Sequence, residues 1–226
     1  MEIITRVIAY FVLLFAITIH ESAHGWTAYK FGDPTAHQLG RITLNPIPHI
    51  DPIGTILLPL VMMITGIPFF GWAKPVPVNP LNLKDPRRDN LWISASGPLS
   101  NLTAAFSFLI GIVILKFVDP QIVHFFRSVL TGQTSLSQGF HPLEGLALLF
   151  FYGVLINTFL AVFNLIPIPP LDGSGVAMGI ISEEAAEKLE KIRPYGFLII
   201  LGLLFIGFLD LIFRPIYFLI ATIILS

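Results

Sequence analysis

Charge is scarce in this chain and cysteine is missing from it. Of its 226 residues only 12% are Asp, Glu, Lys or Arg, while 54% are hydrophobic and the mean hydropathy is +0.80. A water-soluble domain carries about a quarter charged residues, so the composition excludes that class and reads as an integral membrane protein. A net charge of −1 leaves no basic surplus for nucleic acid. Without cysteine there is no disulfide and no thiolate metal ligand, so any metal must be held by His, Asp or Glu. No internal repeat or low-complexity tract is present, and nothing is left over for a separate soluble domain.

What is present is a set of long apolar runs. Four can span about 30 Å of hydrocarbon: Ile3–Phe31, Leu91–Leu115, Gly145–Leu171 and one reaching from Tyr195 to the end. Lys30 stands in the last turn of the first, with Gly32 as its C-cap. This run is read as a span and not as a removed signal peptide, because cleavage would discard the motif inside it. Asp210, Arg214 and Pro215 interrupt the last region, the first two as an expected i,i+4 ion pair; one span plus a tail is expected there. Between the third and last spans, Ser182 to Arg193 reads as a short charged helix capped by Ser182.

A fifth apolar stretch, Ile53–Phe70, is 18 residues long and broken by Pro59, Gly66 and Pro68. If it crosses, Lys and Arg divide eight to five between the two sides. If it enters and returns, Lys30, Arg41, Lys74, Lys84, Arg87, Arg88, Lys188, Lys191 and Arg193 share one side against Arg6, Lys116 and Arg127, with Arg214 undecided. The nine-to-three split fits the positive-inside rule better. It puts the N-terminus outside and the long loop in the cytosol. Phe70–Pro80 is proline-punctuated and reads as a strand or hairpin edge. The expected fold is therefore an all-α polytopic membrane protein, with about four transmembrane helices plus a re-entrant segment carrying a short β element.

The first span contains His20-Glu21-Ser22-Ala23-His24. On a helix, residues four apart share a face, so both imidazoles can reach one zinc ion while Glu21 stands beside it as a general base. Ionisable groups at membrane depth are costly, which weakens the reading of this HExxH as a structural polar cluster or proton relay. A catalytic zinc takes three protein ligands and keeps one open position. Asp172 is the best candidate for the third, since Pro167, Pro169 and Pro170 must unwind the third span just where it is delivered. Taken alone, Pro-Pro-Leu-Asp-Gly reads rather better as an ordinary interfacial turn.

Together with Gly97-Pro98-Leu99-Ser100-Asn101 and Asn164-x-x-Pro-x-Pro-x-Leu-Asp172-Gly173, the HExxH resembles the site-2 protease family of intramembrane zinc metalloproteases. The resemblance covers about Ile3 to Gly173. It implies His20, His24 and Asp172 as ligands of one Zn2+ per chain, Glu21 as the residue activating water, and Asn164 near the substrate carbonyl. Asn101 is a candidate for substrate binding or for ordering the site, with helix packing the equal alternative. The division implied is a protease core over 1–173 and a connector plus C-terminal helix over 174–226. Depth agrees: His24 and His20 lie roughly 10 and 16 Å before the helix end, so the spans bearing the ligands must run parallel. That leaves room for one full crossing between them, and family members place a re-entrant β element after the HExxH helix.

The implied activity is endoproteolysis in or near transmembrane segments of membrane protein substrates. Expected partners are such a transmembrane protein or peptide and the lipid bilayer, in the cell membrane, with the site nearer the cytosolic face. A divalent-metal transporter is the first alternative, but the outer halves of the spans are nearly devoid of ionisable groups; an inactive scaffold is the second. Neither the PDZ domain of some relatives nor a CBS segment is expected within these residues. His37, His124 and His141 read as solvated, His49 as ordering a loop more than lining the site, and Trp72 and Lys74 as interfacial anchors or flanks of a substrate strand.

Overall fold

The computed structural model describes residues 2–65, 71–132 and 142–226. Helix α1 (Glu2–Lys30) is 29 residues long, enough for a full crossing. It stops at Gly32, whose φ of +106° is a left-handed conformation that ends a helix at little cost to glycine alone. A single turn (Thr35–Gln38) and an irregular loop follow. Pro52–Leu57 then forms a wide helical turn with Asp51 accepting from the Ile53 and Gly54 amides, and it runs into α2 (Leu58–Thr65). Helix α3 (Pro86–Val118) starts from Asp85, whose carboxylate accepts the Arg88 amide at 3.2 Å. Then come α4 (Ile122–Leu130) and α5 (Pro142–Asn164). The chain continues through α6 (Asp172–Ile180), α7 (Glu183–Glu190, capped by Ser182), α8 (Gly196–Phe205) and α9 (Phe208–Leu225).

Among the described residues, four helices are long and apolar enough to cross a membrane: Ile4–Lys30, Pro86–Val118, Pro142–Asn164 and Phe208–Leu225. Phe11, Phe106 and Phe117 point outward, 63%, 64% and 84% exposed, as side chains do when hydrocarbon and not water surrounds the bundle. This is a multi-pass membrane protein. Its apolar core, with Ile112, Phe126, Phe151, Val154 and Ile224 fully or nearly buried, joins α3, α4, α5 and α9.

Contacts fix the helix directions. Along α1, Ala16 and His20 meet Asn101 while His24 meets Ile93, so α1 and α3 are antiparallel. Along α3, Asn101 meets Asn157, and the space beside Gly153 and Gly111 is filled by Phe108 and Phe150, so α3 and α5 are antiparallel too. Helices α1 and α5 therefore run parallel, as the two ligand-bearing segments require.

Three expectations need correction. No strand occurs among the described residues, and the expected β element is absent from 71–79 (Phe70 lies outside the described residues). The backbone there makes no helix, turn or bend, and Pro75 and Pro77 remove alternate donors. Three of the amides that remain bond elsewhere: Lys74 to the His49 carbonyl at 3.0 Å, Val76 to Glu21, Asn79 to Asp33. Next, the third long helix ends at Asn164 instead of Leu171, because Pro167, Pro169 and Pro170 forbid its continuation; Asp172 is the first residue of α6. Last, the C-terminal region breaks at Gly207 (φ +71°) and not at Asp210–Pro215, which lie inside α9. Asp210 and Arg214, both exposed, form no ion pair among the described residues.

Two features hold the 71–82 segment. The Thr55 hydroxyl donates to the Trp72 carbonyl at 2.8 Å, and a Cβ on Gly54 would strike the Trp72 ring, so the chain leaves at 54–55 and returns to the same point at 71–72. Beyond α1, the fully buried Asp33 accepts from the Thr35 amide and hydroxyl, the Asn82 side chain and the Asn79 amide, at 2.5–3.1 Å. Burial alone would raise the pKa of its carboxyl. The bonds from Asn82, Thr35 and Asn79 outweigh that and hold it below the ordinary carboxylate range.

Candidate metal centre

Helix periodicity puts His20 and His24 on one face of α1, and the proline-broken turn after α5 carries Asp172 to them. The Asp172 Oδ2 lies 2.9 Å from His20 Nε2 and 3.3 Å from His24 Nε2. The ring planes stand at 88° to each other with centroids 4.7 Å apart. Gly97 of α3 forms the floor: a Cβ there would lie 2.5 Å from His24 Nε2 and 2.7 Å from His20 Cε1. Gly173 has its own close approach, to the Leu165 and Ile166 carbonyls, which lets the turn fold tightly before α6. Arg87 of α3 caps the far end of α6 by donating to the Met178 and Ile181 carbonyls.

Hydrogen bonding sets the chemistry. His20 Nδ1 sits 2.6 Å from Asn101 Oδ1, and His24 Nδ1 sits 2.7 Å from the Ile93 carbonyl. Both partners are acceptors, so each Nδ1 carries the hydrogen and each Nε2 presents a bare lone pair. The Asp172 Oδ2 they face is buried and accepts no hydrogen bond. Three lone pairs gathered in a small buried space are a donor set for a cation. The two-imidazole, one-carboxylate composition suits a catalytic metal with an open position.

Glu21 projects from the next position on α1, and its Oε2 accepts the Val76 main-chain N–H at 2.9 Å. Val76 lies between Pro75 and Pro77, so it is the one donor that this tripeptide can offer. Arg41 steadies the same stretch, donating to the Lys74 carbonyl at 2.6 Å.

The remaining candidates are placed as follows. Asn101 is fully buried; besides His20, its amide nitrogen donates to the Ala16 carbonyl at 3.0 Å and to Asn157 Oδ1 at 2.9 Å. Asn164 ends α5 and donates from Nδ2 to the Leu160 carbonyl at 2.9 Å, leaving the second hydrogen of that amide. His49 is fully buried, with Nε2 3.1 Å from the Thr43 carbonyl, and its own carbonyl receives the Lys74 amide, so it orders the loop. Burial pushes its imidazole below the ordinary value, and Arg41 adds to the effect against the bond to Thr43. His37 stacks on Tyr29 at 4.8 Å; His141 lies outside the described residues. Sequence reasoning missed Asn157 and Val76. An uncharged amide in the middle of an apolar span was a readable signal for the first; nothing in a valine announces the second.

Such a site, on a helical membrane bundle, has the composition of an HExxH metallohydrolase: two imidazoles from one helix and a carboxylate from a distant turn, grouped so that they could hold one metal ion. Residues 8–207 match Peptidase family M50, and the chain belongs to that family, the site-2 proteases. It is a site-2-type metalloendopeptidase. Among similar proteins is "Putative zinc metalloprotease YwhC" of Bacillus subtilis, 38% identical over 191 residues, covering 84% of this chain and 77% of that protein. Another is "Putative zinc metalloprotease Rip2" of Mycolicibacterium smegmatis, 32% identical over 192 residues, covering 84% of this chain and 64% of that one. The chain thus spans less than two thirds of the mycobacterial relative's length. No solved structure matches it significantly.

Proposed function

We propose that this chain is a zinc-dependent intramembrane endopeptidase, hydrolysing peptide bonds in or near transmembrane segments of membrane proteins. The observation that carries the reading is the convergence of two bare imidazole Nε2 atoms on an unpartnered buried carboxylate oxygen, within a bundle of four membrane-length helices. His20, His24 and Asp172 hold the zinc. When bound, it supplies Lewis-acid polarisation of a water and of a peptide carbonyl.

Glu21 takes the proton of the attacking water and returns it to the amine nitrogen as the C–N bond breaks, so water is divided between a new carboxyl and a new amine. The Val76 amide occupies one carboxylate oxygen of Glu21 and leaves the other for that proton. The second N–H of the Asn164 amide is the proposed contact for the substrate carbonyl. A helical substrate has its own carbonyls and amides paired, so it must unwind before attack, and the 71–79 backbone beside Glu21 is where an unwound stretch would lie.

Comparing membrane proteomes of cells carrying the wild type and Glu21→Gln tests the activity. The amide oxygen of the replacement side chain can still accept the Val76 N–H, so the fold is kept. Intact membrane proteins should accumulate in the variant and their fragments should vanish; an unchanged fragment pattern would sink the reading.

The same reading places the N-terminus outside the cell membrane, the site toward the cytosol, and Ile53–Phe70 as a re-entrant segment. The meeting of 54–55 with 71–72 and the parallel course of α1 and α5 support the re-entrant course, and the nine-to-three basic asymmetry supports the orientation. Because native cysteine is absent, single cysteines at Gln38 and Lys84 can be probed without background. Both should react with an impermeant thiol reagent from the cytosolic face only. Labelling from opposite faces would mean that the segment crosses.

A further inference from the structure

Asn157 sits in the middle of α5, fully buried among apolar neighbours, and touches neither a ligand nor Glu21. Burying an amide in such a helix is costly unless every part of it is used. It is used. Its Nδ2 donates to the Gly153 carbonyl of its own helix at 2.8 Å, and its Oδ1 accepts from Asn101 Nδ2 at 2.9 Å. Asn101 gives its other amide hydrogen to the Ala16 carbonyl of α1 at 3.0 Å, and its Oδ1 faces His20 Nδ1 at 2.6 Å.

The chain of bonds has a direction. A main-chain carbonyl can only accept, so the Gly153 carbonyl fixes Asn157 with its nitrogen toward the helix and its oxygen toward Asn101. That oxygen, with the Ala16 carbonyl, fixes Asn101 with its nitrogen toward them and its oxygen toward His20. Turning the Asn101 amide over would set its oxygen against two acceptors at once. With Asn101 Oδ1 in place, His20 must keep its hydrogen on Nδ1 and present Nε2 bare. The opposite tautomer would put a hydrogen where the metal binds.

We infer that Asn157 is a positioning residue of the metal centre: acting through Asn101, it locks the tautomer and aim of His20 and thereby raises metal affinity. The inference rests on the metal reading of the His20, His24 and Asp172 set. It adds a determinant from α5, passed through Asn101 of α3, to a site whose ligands come from α1 and α6, so three membrane-length helices bear on one imidazole.

Zinc affinity of the purified full chain, measured by chelator competition, tests it without any substrate. Outer partners of metal-bound histidines typically contribute about 10- to 100-fold in affinity. Asn157→Leu should weaken zinc binding about tenfold, at the lower edge of that range because it acts at one remove; Asn101→Ala should weaken it at least as much. The double variant should be no weaker than Asn101→Ala, since Asn157 has no other route to His20. Additive losses, or an Asn157→Leu affinity equal to wild type, would overturn the inference. Asn157→Ala serves if leucine does not fit.

A readout on the wild type stands apart from folding of any variant. In zinc-loaded protein with 15N-labelled histidine, His20 should bind through Nε2 and carry its hydrogen on Nδ1, and binding through Nδ1 would overturn the proposal. Wild-type protein that binds no zinc fails the metal reading itself, an outcome distinct from equal binding by wild type and variant.

Discussion

Replacing His20 and His24 together with alanine should strip the protein of zinc, whereas Glu21→Gln should keep the metal and lose the activity. The wild type should carry about one zinc per chain, as expected of a three-ligand catalytic site. Asp172→Asn keeps the shape of the turn and removes the charge that two neutral imidazoles cannot supply, so zinc content should fall steeply. Glu21 lies beside the ligand set and not in it, so its loss costs proton transfer, about 10²- to 10⁴-fold in rate. Elemental analysis of the purified variants, paired with a cleavage assay, separates the two effects. Full zinc occupancy in the double-histidine variant would remove the ligand assignment and with it the proposed mechanism.

A single methyl group should do nearly as much damage when placed at Gly97. Its Cβ would lie 2.5 Å from His24 Nε2, inside any permitted contact, and the obstacle is the ligating end of a ring whose other nitrogen is tied to the Ile93 carbonyl. Neither ring can retreat without leaving its partner, so the expected outcome of Gly97→Ala is a zinc affinity lowered by one to two orders of magnitude, about the scale of losing a ligand's supporting bond. Gly202→Ala is the matched control, because nothing lies within 4 Å of that Cβ. It should bind zinc as the wild type does. Equal affinity in the two variants would show that the floor of the site yields.

How far the sequence announced all this depends on whether each feature is local. The HExxH pair needs only helical periodicity, and long apolar runs declare spanning helices, so α1, α3, α5 and their order were readable. Asp172 was readable through its prolines, which break a helix wherever they stand, although the break begins at Leu165, seven positions before Asp172. Residues 71–79 misled: proline spacing suggests a strand, but a strand also needs a partner, and pairing is not local. Here the bonds go to Glu21, Asp33 and the His49 carbonyl instead. The Asp33 clasp and the Asn157 relay were hidden for the same reason, as their partners lie 46 and 56 positions away.

The Val76 contact has a consequence for how this protein can drift in evolution. Its donor belongs to the main chain, so every residue at position 76 inherits it, proline alone excepted. Selection on the side chain concerns only what fits over Gly25, whose Cβ would lie 3.2 Å from Val76 Cγ1. Related proteins could therefore differ at this position while keeping the same hold on the Glu21 carboxylate. A functional contact of this kind leaves no signature letter for a sequence comparison to find; the trace it leaves is the proline on either side.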